Sequence, residues 1–403
     1  MTALGRLFGL FAVYFVLLQF VLIGRSVWVE GTFGLDRLTR IHHWNGFLAI
    51  TFILLHPTLI ITSYALGNGV GFFSQFVDLI LNYDDVLKAF LAVIVFITII
   101  FFSISIGRKK LKYESWYYIH LGTYLAVLLA WGHQLELGND FAHTPAFVYF
   151  WYGLYAVVLG NFVLWRFLKP LLLFYRHQFF VSRVERETPS SVSVYISGVR
   201  MEDFKISAGQ FMIFRFLEKG FWLQAHPFSL SAVPQSNEIR ITVKNVGDFT
   251  ARVPVLEPGT KVLIDGPYGT FTEARAKQNK ILFLAGGIGI TPIRAMLESL
   301  HGAKDAALIY GSRTERDVVF ASELDRLVAQ YHFPVHHVMS EEAAYAGEKG
   351  RIHVERIARL VPDFKERDIY ICGPKPMLDM LRKELHAAGV PRANIHFERF
   401  ALQ

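Results

Sequence analysis

The chain has little charge and almost no cysteine. Only 19% of its 403 residues are Asp, Glu, Lys or Arg, while 53% are hydrophobic, a composition too apolar for an average soluble protein. The single cysteine, Cys372, excludes an internal disulfide and fits a reducing compartment. The N-terminal apolar run lacks a small-residue cleavage site before the next run, so we expect a membrane anchor rather than a signal peptide.

Several long stretches of the chain contain few charged residues, as a membrane-spanning helix requires. Crossing the hydrocarbon takes about 20 apolar residues, and five stretches qualify, at roughly 6–28, 41–66, 87–106, 115–135 and 145–168. The amphipathic stretch 70–82 predicts a helix at the membrane interface. Much of the basic excess flanks these spans, so the net charge of +7 indicates orientation rather than nucleic-acid binding. We expect a multi-pass plasma-membrane protein with its N-terminus outside and its soluble part in the cytoplasm.

Neither 41–66 nor 115–135 contains Asp, Glu, Lys or Arg, and histidine is the one residue type there that can become charged near neutral pH. Ionisable groups inside a membrane are costly and usually functional, although helix-packing hydrogen bonds are the ordinary alternative. Each stretch holds histidines about one leaflet apart, and imidazole in apolar surroundings suits haem iron. We therefore predict axial ligands for two b-type haems, His42 with His120 for an inner haem and His56 with His133 for an outer one.

His43 competes with His42 for this role. At about 100° per residue, a spacing of 14 returns to nearly the same helix face and a spacing of 13 does not, which favours His42 as the residue that shares a face with His56. The spacing from His120 to His133 is 13. It predicts a π-bulge or another distortion in that helix.

The pattern changes after the last apolar stretch. Short alternating runs separated by Gly, Pro and Asn begin at about residue 178 and predict a small antiparallel β-barrel. From 280 the pattern becomes strand, glycine loop, helix, which predicts a doubly wound parallel sheet. The fold class is thus a multi-domain membrane protein, with a helical domain at 1–172, a β-barrel domain at 173–275 and an α/β domain at 276–403.

Four segments of the soluble part carry chemistry. In "GGIGITP", Gly286, Gly287 and Gly289 let the backbone approach a pyrophosphate, Thr291 could cap the next helix, and Pro292 fits its first turn; a tight strand–helix turn is the alternative. In "HPFSLS", Phe228 could stack on a flavin and Ser229 could bind its N5 edge, unless this is only a strand with alternating packing. The turn "VGDFT" at 246–250 could receive flavin phosphates. Cys372 lies in "CGP" at the carboxyl end of a strand, where ligands bind in such sheets.

The order of these motifs resembles a known family. "HPFSLSA", "IRITVKNVGDFT", "DGPYGTF", "LAGGIGITP", "ICGPKPM" and the terminal "HFERF" follow the ferredoxin–NADP reductase superfamily. Together with paired histidines in a membrane domain, the whole chain resembles the NADPH oxidases and ferric reductases, and most of all the NADPH oxidases with their bacterial members. The resemblance implies FAD on the barrel, bound by His226, Pro227, Phe228, Ser229, Lys244, Gly247, Asp248, Phe249 and Thr250.

The resemblance also implies NADPH, or NADH, on the glycine loop and near Cys372, Gly373 and Pro374. It places Phe400 over the flavin ring, with Phe397 in reserve. Ser312 and Arg313, or else Arg316, could bind a 2′-phosphate and favour NADPH. The sequence departs from the family in two ways. It has five predicted spans where the family usually has six, and it lacks a calcium-binding loop pattern and a long extension. From the second difference we expect no obligatory regulatory subunit.

The function implied is electron transfer from cytoplasmic NADPH through FAD and two haems to oxygen outside, producing superoxide. Arg6, at the outer start of the first span, could attract that anion as an arginine does in the family, or could simply anchor the helix. The alternatives are a ferric or cupric chelate reductase, and an electron donor to a periplasmic protein.

Overall fold

The computed structural model describes residues 1–104, 113–136, 144–234 and 237–398. The chain forms two compact units, and each of them draws on two stretches of sequence. The first contains Met1–Ser26 and Arg37–Arg166, and the second contains Val27–Asp36 and Phe167–Gln403. The short segment Val27–Asp36, which lies between two apolar helices in sequence, therefore packs with the soluble part.

The first unit is helical because its apolar runs are long and contain few charged residues. In chain order the helices up to the soluble part are α1 (Thr2–Ile23), α2 (Val27–Phe33), α3 (Leu35–Asn68), α4 (Phe72–Asn82), α5 (Val86–Ser103), α6 (Tyr113–Glu136), α7 (Pro145–Val163) and α8 (Lys169–His177), with α2 and α8 in the second unit. Helix α4 is the amphipathic helix that the sequence predicts.

Four helices of the described residues are long and apolar enough to cross a membrane. They are α1, α3, α5 and the continuous helix from Pro145 to His177. Helix α6 has the length but is less apolar and is not among them. The fifth span thus stays a prediction.

The predicted distortion between His120 and His133 is wrong. Helix α6 is a regular α-helix from Tyr113 to Glu136. The π-helical turn of the described chain lies instead at Leu164–Leu168, between α7 and α8.

The barrel part of the second unit consists of two three-stranded antiparallel sheets. The strands are β1 (Phe180–Thr188), β2 (Ser191–Ser197), β3 (Phe211–Phe216), β4 (His226–Ser229), β5 (Glu238–Lys244) and β6 (Val262–Tyr268). Their order is β1-β2-β5 in one sheet and β4-β3-β6 in the other. Alternating side chains such as Val194, Phe214 and Ile241 point into a shared apolar core. This confirms the predicted antiparallel domain.

The remaining part is a six-stranded parallel sheet covered by helices. Its strands are β7 (Lys280–Gly286), β8 (Asp305–Ser312), β9 (Val335–Met339), β10 (Glu348–Lys349), β11 (Asp368–Cys372) and β12 (Ile395–Glu398), in the order β10-β9-β8-β7-β11-β12. The helices of the second unit after α8 are α9 (Asp248–Arg252), α10 (Ile290–Ser299), α11 (Ala321–Tyr331), α12 (Val354–Leu360) and α13 (Lys375–Ala387). The predicted doubly wound α/β domain is confirmed. Because β7, β8 and β11 are neighbours, the turns after them meet at one edge of the sheet.

Candidate functional site

The four predicted histidines form two pairs inside the first unit. The ring centres of His42 and His120 are 6.1 Å apart, and those of His56 and His133 are also 6.1 Å apart. Helix α3 supplies one ring to each pair and α6 supplies the other. His43 contacts Trp44 and Phe47 of its own helix instead.

The spacing of each pair fits a metal between two imidazoles. With metal–nitrogen bonds of about 2 Å on both sides, the centres of two opposed imidazole rings are separated by roughly 6 Å. The residues present therefore fit the predicted haems, and the two histidines of each pair would hold the iron.

The hydrogen bonds of the second ring nitrogen of each histidine also show whether the ring could bind a metal. His56 Nδ1 lies 2.8 Å from the carbonyl oxygen of Gly5, which fixes this nitrogen as a donor, so Nε2 is the nitrogen that would bind a metal. His120 Nδ1 lies 3.4 Å from Ser103 Oγ, and the Trp116 ring stacks on His120. The Nδ1 atoms of His42 and His133 are buried, and neither has a hydrogen-bond partner among the described residues.

A cavity of about 510 Å³ lies beside the His56–His133 pair. Its lining is mostly apolar and includes Arg6. Gly9 leaves room for the ring of His56, because a Cβ atom there would stand 2.9 Å from Nδ1. Tyr155 donates a 2.8 Å hydrogen bond to Gln134 Oε1, so polar groups also reach this wall. The sequence thus brings Arg6 to the same cavity as the second pair.

Strand β4 positions the predicted flavin residues. Ser229 is only 4% exposed, and its hydroxyl has no hydrogen-bond partner among the described residues. A buried hydroxyl in this state is costly unless a ligand pairs with it, so Ser229 fits a flavin edge. The centres of the His226 and Phe249 rings are 3.9 Å apart, with the two rings tilted by 34°. Phe228 is half-buried beside them, and Pro227 pairs with Ile213 of β3.

The turn after β5 is closed by a threonine. The amides of Val246 and Gly247 donate to Thr250 Oγ1 at 2.9 and 3.0 Å. Lys244 ends β5, Gly247 precedes α9, and the exposed Asp248 begins it. Phe249 is buried in the barrel core. Thr250 therefore shapes the turn, and its predicted contact with a flavin phosphate stays a prediction.

The glycine turn packs directly against the turn after β11. A Cβ atom on Gly289 would overlap the carbonyl oxygen of Cys372, and one on Gly373 would lie 3.1 Å from Gly286 Cα. On Gly286 it would stand 3.0 Å from Pro374 Cδ. Gly287 differs, since its φ is +54° and no atom lies within 4 Å of a Cβ there. Gly287 is therefore the glycine that leaves open space for a ligand.

Thr291 does not cap the helix as the sequence suggests. Helix α10 begins at Ile290 after Gly289, so Thr291 lies inside the first turn, where its hydroxyl donates to the carbonyl of Ile288 at 3.0 Å. It holds the glycine turn closed from within. Pro292 occupies the first turn, as predicted.

Cys372 ends β11 and is completely buried. Burial raises the pKa of its thiol well above the usual range, and the neighbouring carboxyl groups of Glu398 and Asp36 act in the same direction. The sulfur is therefore a neutral thiol, which suits contact with a ligand better than nucleophilic attack.

Sequence reasoning missed Glu398, which pairs with Cys372 in the β11–β12 register. Burial raises the pKa of Glu398 well above its usual range, and its Oε2 atom has no hydrogen-bond partner among the described residues. The strand "IHFE" alternates apolar and ionisable residues, so no local pattern singles out Glu398 for burial. Phe400 lies outside the described residues, and the ring of Phe397 is covered by the Arg382 guanidinium at 3.8 Å.

The residues predicted to bind a 2′-phosphate lie at the end of β8 and in the turn after it. Ser312 is buried at the end of the strand, while the Arg313 side chain is 55% exposed and forms a 3.6 Å ion pair with Asp317. Arg316 is exposed in the same turn. A 2′-phosphate would therefore compete with Asp317 for Arg313.

Three families match the chain along its length. Residues 8–131 match the ferric reductase like transmembrane component, 178–272 match the FAD-binding domain, and 283–383 match the oxidoreductase NAD-binding domain. The chain thus joins a match to a transmembrane component with matches to an FAD-binding and an NAD-binding domain. This order of domains is the architecture of the superfamily that includes the NADPH oxidases, the ferric reductases and the ferredoxin–NADP reductases.

Individual relatives resemble the soluble part. An NADPH oxidoreductase from Mycobacterium tuberculosis is 31% identical over 229 residues, which are 54% of this chain and 58% of that protein. A flavohemoprotein from Xylella fastidiosa is 30% identical over 201 residues, 48% of this chain and 50% of the relative. The chain spans about half the length of the curated relatives it matches.

One solved structure aligns with nearly the full chain. The crystal structure of flavohemoglobin from Malassezia yamatoensis with bound FAD and heme has a TM-score of 0.51, 18% identity, and covers 98% of this chain and 96% of its own. At this identity the likeness concerns the fold alone.

Proposed function

We propose that the chain transfers electrons from NAD(P)H through FAD and two haems across a membrane to oxygen, producing superoxide. The observation that carries the proposal is the two histidine pairs at 6.1 Å in a unit of apolar helices, joined in one chain to FAD- and NAD-binding domains. Two electrons from one NAD(P)H reduce two oxygen molecules and release one proton. The cofactors supply the redox chemistry when bound.

The chain's own residues bind, orient and insulate. His42, His120, His56 and His133 hold the irons, and Gly5 fixes the tautomer of His56 through its carbonyl. Ser229 and the turn at 246–250 hold FAD, and the open side of Gly287 admits the dinucleotide. Arg313, drawn from Asp317, contacts a 2′-phosphate and favours NADPH over NADH.

The cavity beside His56 and His133 supports oxygen as the acceptor. Its lining is apolar except for a few groups such as Arg6, so a small neutral molecule enters at little cost and its anionic product meets a guanidinium. We place this side outside, the soluble unit in the cytoplasm, and no obligatory subunit in the reaction.

Purified protein loaded with FAD and haem tests the proposal. NADPH should drive reduction of cytochrome c, and superoxide dismutase should abolish most of it. Dismutase-insensitive reduction together with fast reduction of a ferric chelate would support a metal-chelate reductase instead. Arg6→Ala at full haem content should slow oxygen reduction, and an unchanged rate would remove Arg6 from the mechanism.

A further inference from the structure

A buried ion network joins the barrel to the parallel-sheet domain. Arg240 of β5 donates two hydrogen bonds to Glu323 of α11, from Nη1 to Oε1 at 2.7 Å and from Nη2 to Oε2 at 2.9 Å. Arg294 of α10 forms a 2.8 Å ion pair from Nε to the same Oε2. The side chains of Arg240, Arg294 and Glu323 are only 6%, 8% and 15% exposed.

On the barrel side the network reaches the predicted flavin strand. Arg240 Nη2 also donates to the carbonyl of Ser231 at 2.8 Å, and the Ser231 amide donates to the Arg240 carbonyl at 2.9 Å. Thr242 donates to the Ser231 hydroxyl at 2.8 Å. Ser231 stands two residues after Ser229. The network therefore fixes the backbone that carries the proposed flavin contact.

On the other side the network reaches the glycine turn. Arg294 lies in α10, about 6 Å along the axis from Ile290, the first helical residue after the turn. Arg294 also donates to Glu298 Oε2 at 2.5 Å, and that oxygen accepts the Val233 amide of the barrel at 2.7 Å. Helix α10 is thus tied to the segment after β4 directly through Glu298 and indirectly through Glu323 and Arg240.

The ion pairs of the network fix the orientation of the barrel relative to the parallel-sheet domain as well as holding the two in contact. Burial by itself raises the pKa of Glu323, but hydrogen bonds from Arg240 and the charges of Arg240 and Arg294 outweigh it and lower the pKa, so the carboxylate stays charged. A bidentate arginine–carboxylate pair has a fixed planar geometry. Domains within one chain move relative to each other unless such contacts restrain them.

We propose that Glu323 is a positioning residue for hydride transfer, which fixes the nicotinamide bound at the glycine turn against the flavin bound at Ser229. The inference rests on the proposed function. In the step, the C4–H bond of the dihydronicotinamide breaks and its electron pair and hydrogen form the N5–H bond of the flavin, so NAD(P)H is oxidised and FAD is reduced by two electrons. A displacement of about 1 Å slows such a step by roughly 100-fold.

Glu323→Gln in the full, cofactor-loaded chain is the test. We expect flavin reduction by NADPH, followed as bleaching in a stopped-flow instrument, to slow by roughly 10- to 100-fold. The long-wavelength absorption band of nicotinamide stacked on flavin should weaken, while FAD content and NADP⁺ affinity stay within about twofold, because neither cofactor needs to contact Glu323. Glu238→Gln is the matched control, since Glu238 lies on β5 with Arg240 and pairs at 2.7 Å with Arg183 of β1, away from the parallel-sheet domain.

The outcomes separate the two proposals. If NAD(P)H does not reduce the flavin of the wild-type chain, both proposals are overturned. A wild-type chain that is active, with Glu323→Gln at the same rate and with the same absorption band, overturns the positioning role alone. If Glu323→Gln does not fold, the triple change Arg240→Met, Glu323→Leu, Arg294→Met keeps the site packed with apolar groups, and a wild-type rate in that variant also overturns the role.

Discussion

At the scale of single residues, the choice between adjacent histidines can be tested directly. His42→Ala should lose one of two haems, about half of the total, because a bis-imidazole site without one axial ligand holds its iron poorly. His43→Ala should keep both, since the His43 ring contacts Trp44 and Phe47 rather than His120. Haem per protein, measured as the pyridine complex, decides between them. The reverse pattern would make His43 the ligand.

Glu398 predicts a pH dependence of stability. Its pKa is raised in the folded state above the ordinary value of 4.5, so the folded chain binds the proton more tightly than the unfolded chain. The stabilisation is complete below pH 4.5 and is lost as pH rises toward the folded pKa, by at most about 1.4 kcal/mol per pH unit. Glu398→Gln should therefore lose less stability than the wild type between pH 5 and pH 8.

Thermal unfolding midpoints in detergent at several pH values measure this effect. Glu202→Gln removes an exposed carboxyl of the same unit and is the control. Parallel pH profiles for wild type and Glu398→Gln would show that the carboxyl titrates normally. Burial of this glutamate could not be predicted from the sequence, because "HFERF" does not reveal which of its polar residues faces the β11 strand.

At the scale of elements, the glycines of the turn after β7 have different structural roles. Gly289→Ala should destabilise the α/β domain by about 2–3 kcal/mol, because its Cβ atom meets the backbone of Cys372 and Gly373. Gly287→Ala meets no atom within 4 Å and should cost only about 1 kcal/mol, for its positive φ. Its NADP⁺ affinity should fall, since the added methyl group occupies the open side.

Thermal unfolding with NADP⁺ titration distinguishes the two variants. Equal stability losses with unchanged NADP⁺ affinity in Gly287→Ala would contradict the assignment of the open side. The sequence identifies all three glycines as a ligand loop, yet two of them are explained by contact with the turn after β11. That contact depends on β7 and β11 being neighbours, which no local pattern reports.

Helix α6 shows how far spacing alone predicts geometry. The identity of the paired residues follows from their isolation in apolar stretches, and the rings do meet. The distortion inferred from the spacing of 13 is absent. A helical wheel shows only the direction in which the Cα atom of each residue faces. Rotation about χ1 and χ2 moves the imidazole ring away from that direction, so the spacing of 13 does not require a distorted helix.

At the scale of the whole molecule, the second unit is discontinuous in sequence. Helix α2 (Val27–Phe33), which follows the first apolar helix, packs with the barrel. Glu30 is 5% exposed, and its Oε1 atom accepts the Gly269 amide at 2.8 Å in the turn after β6. Arg275 donates to the Gly31 carbonyl at 3.4 Å. The apolar runs predict where helices cross a membrane, but they do not predict that the segment between two of them completes the soluble unit.

Glu30 offers a test of this discontinuity. Glu30→Ala in the full chain should lower the stability of the second unit by about 1–3 kcal/mol, because the Gly269 amide loses its acceptor in a buried place. Glu30→Gln keeps a carbonyl acceptor and should stay close to the wild type. Burial raises the pKa of Glu30, so the wild type should lose stability relative to Glu30→Gln as pH rises above 4.5. The loss of bound FAD fluorescence quenching on heating reports on this unit separately from the haem spectrum. Equal midpoints for Glu30→Ala and Glu30→Gln would mean that the Gly269 contact does not hold α2 in the unit.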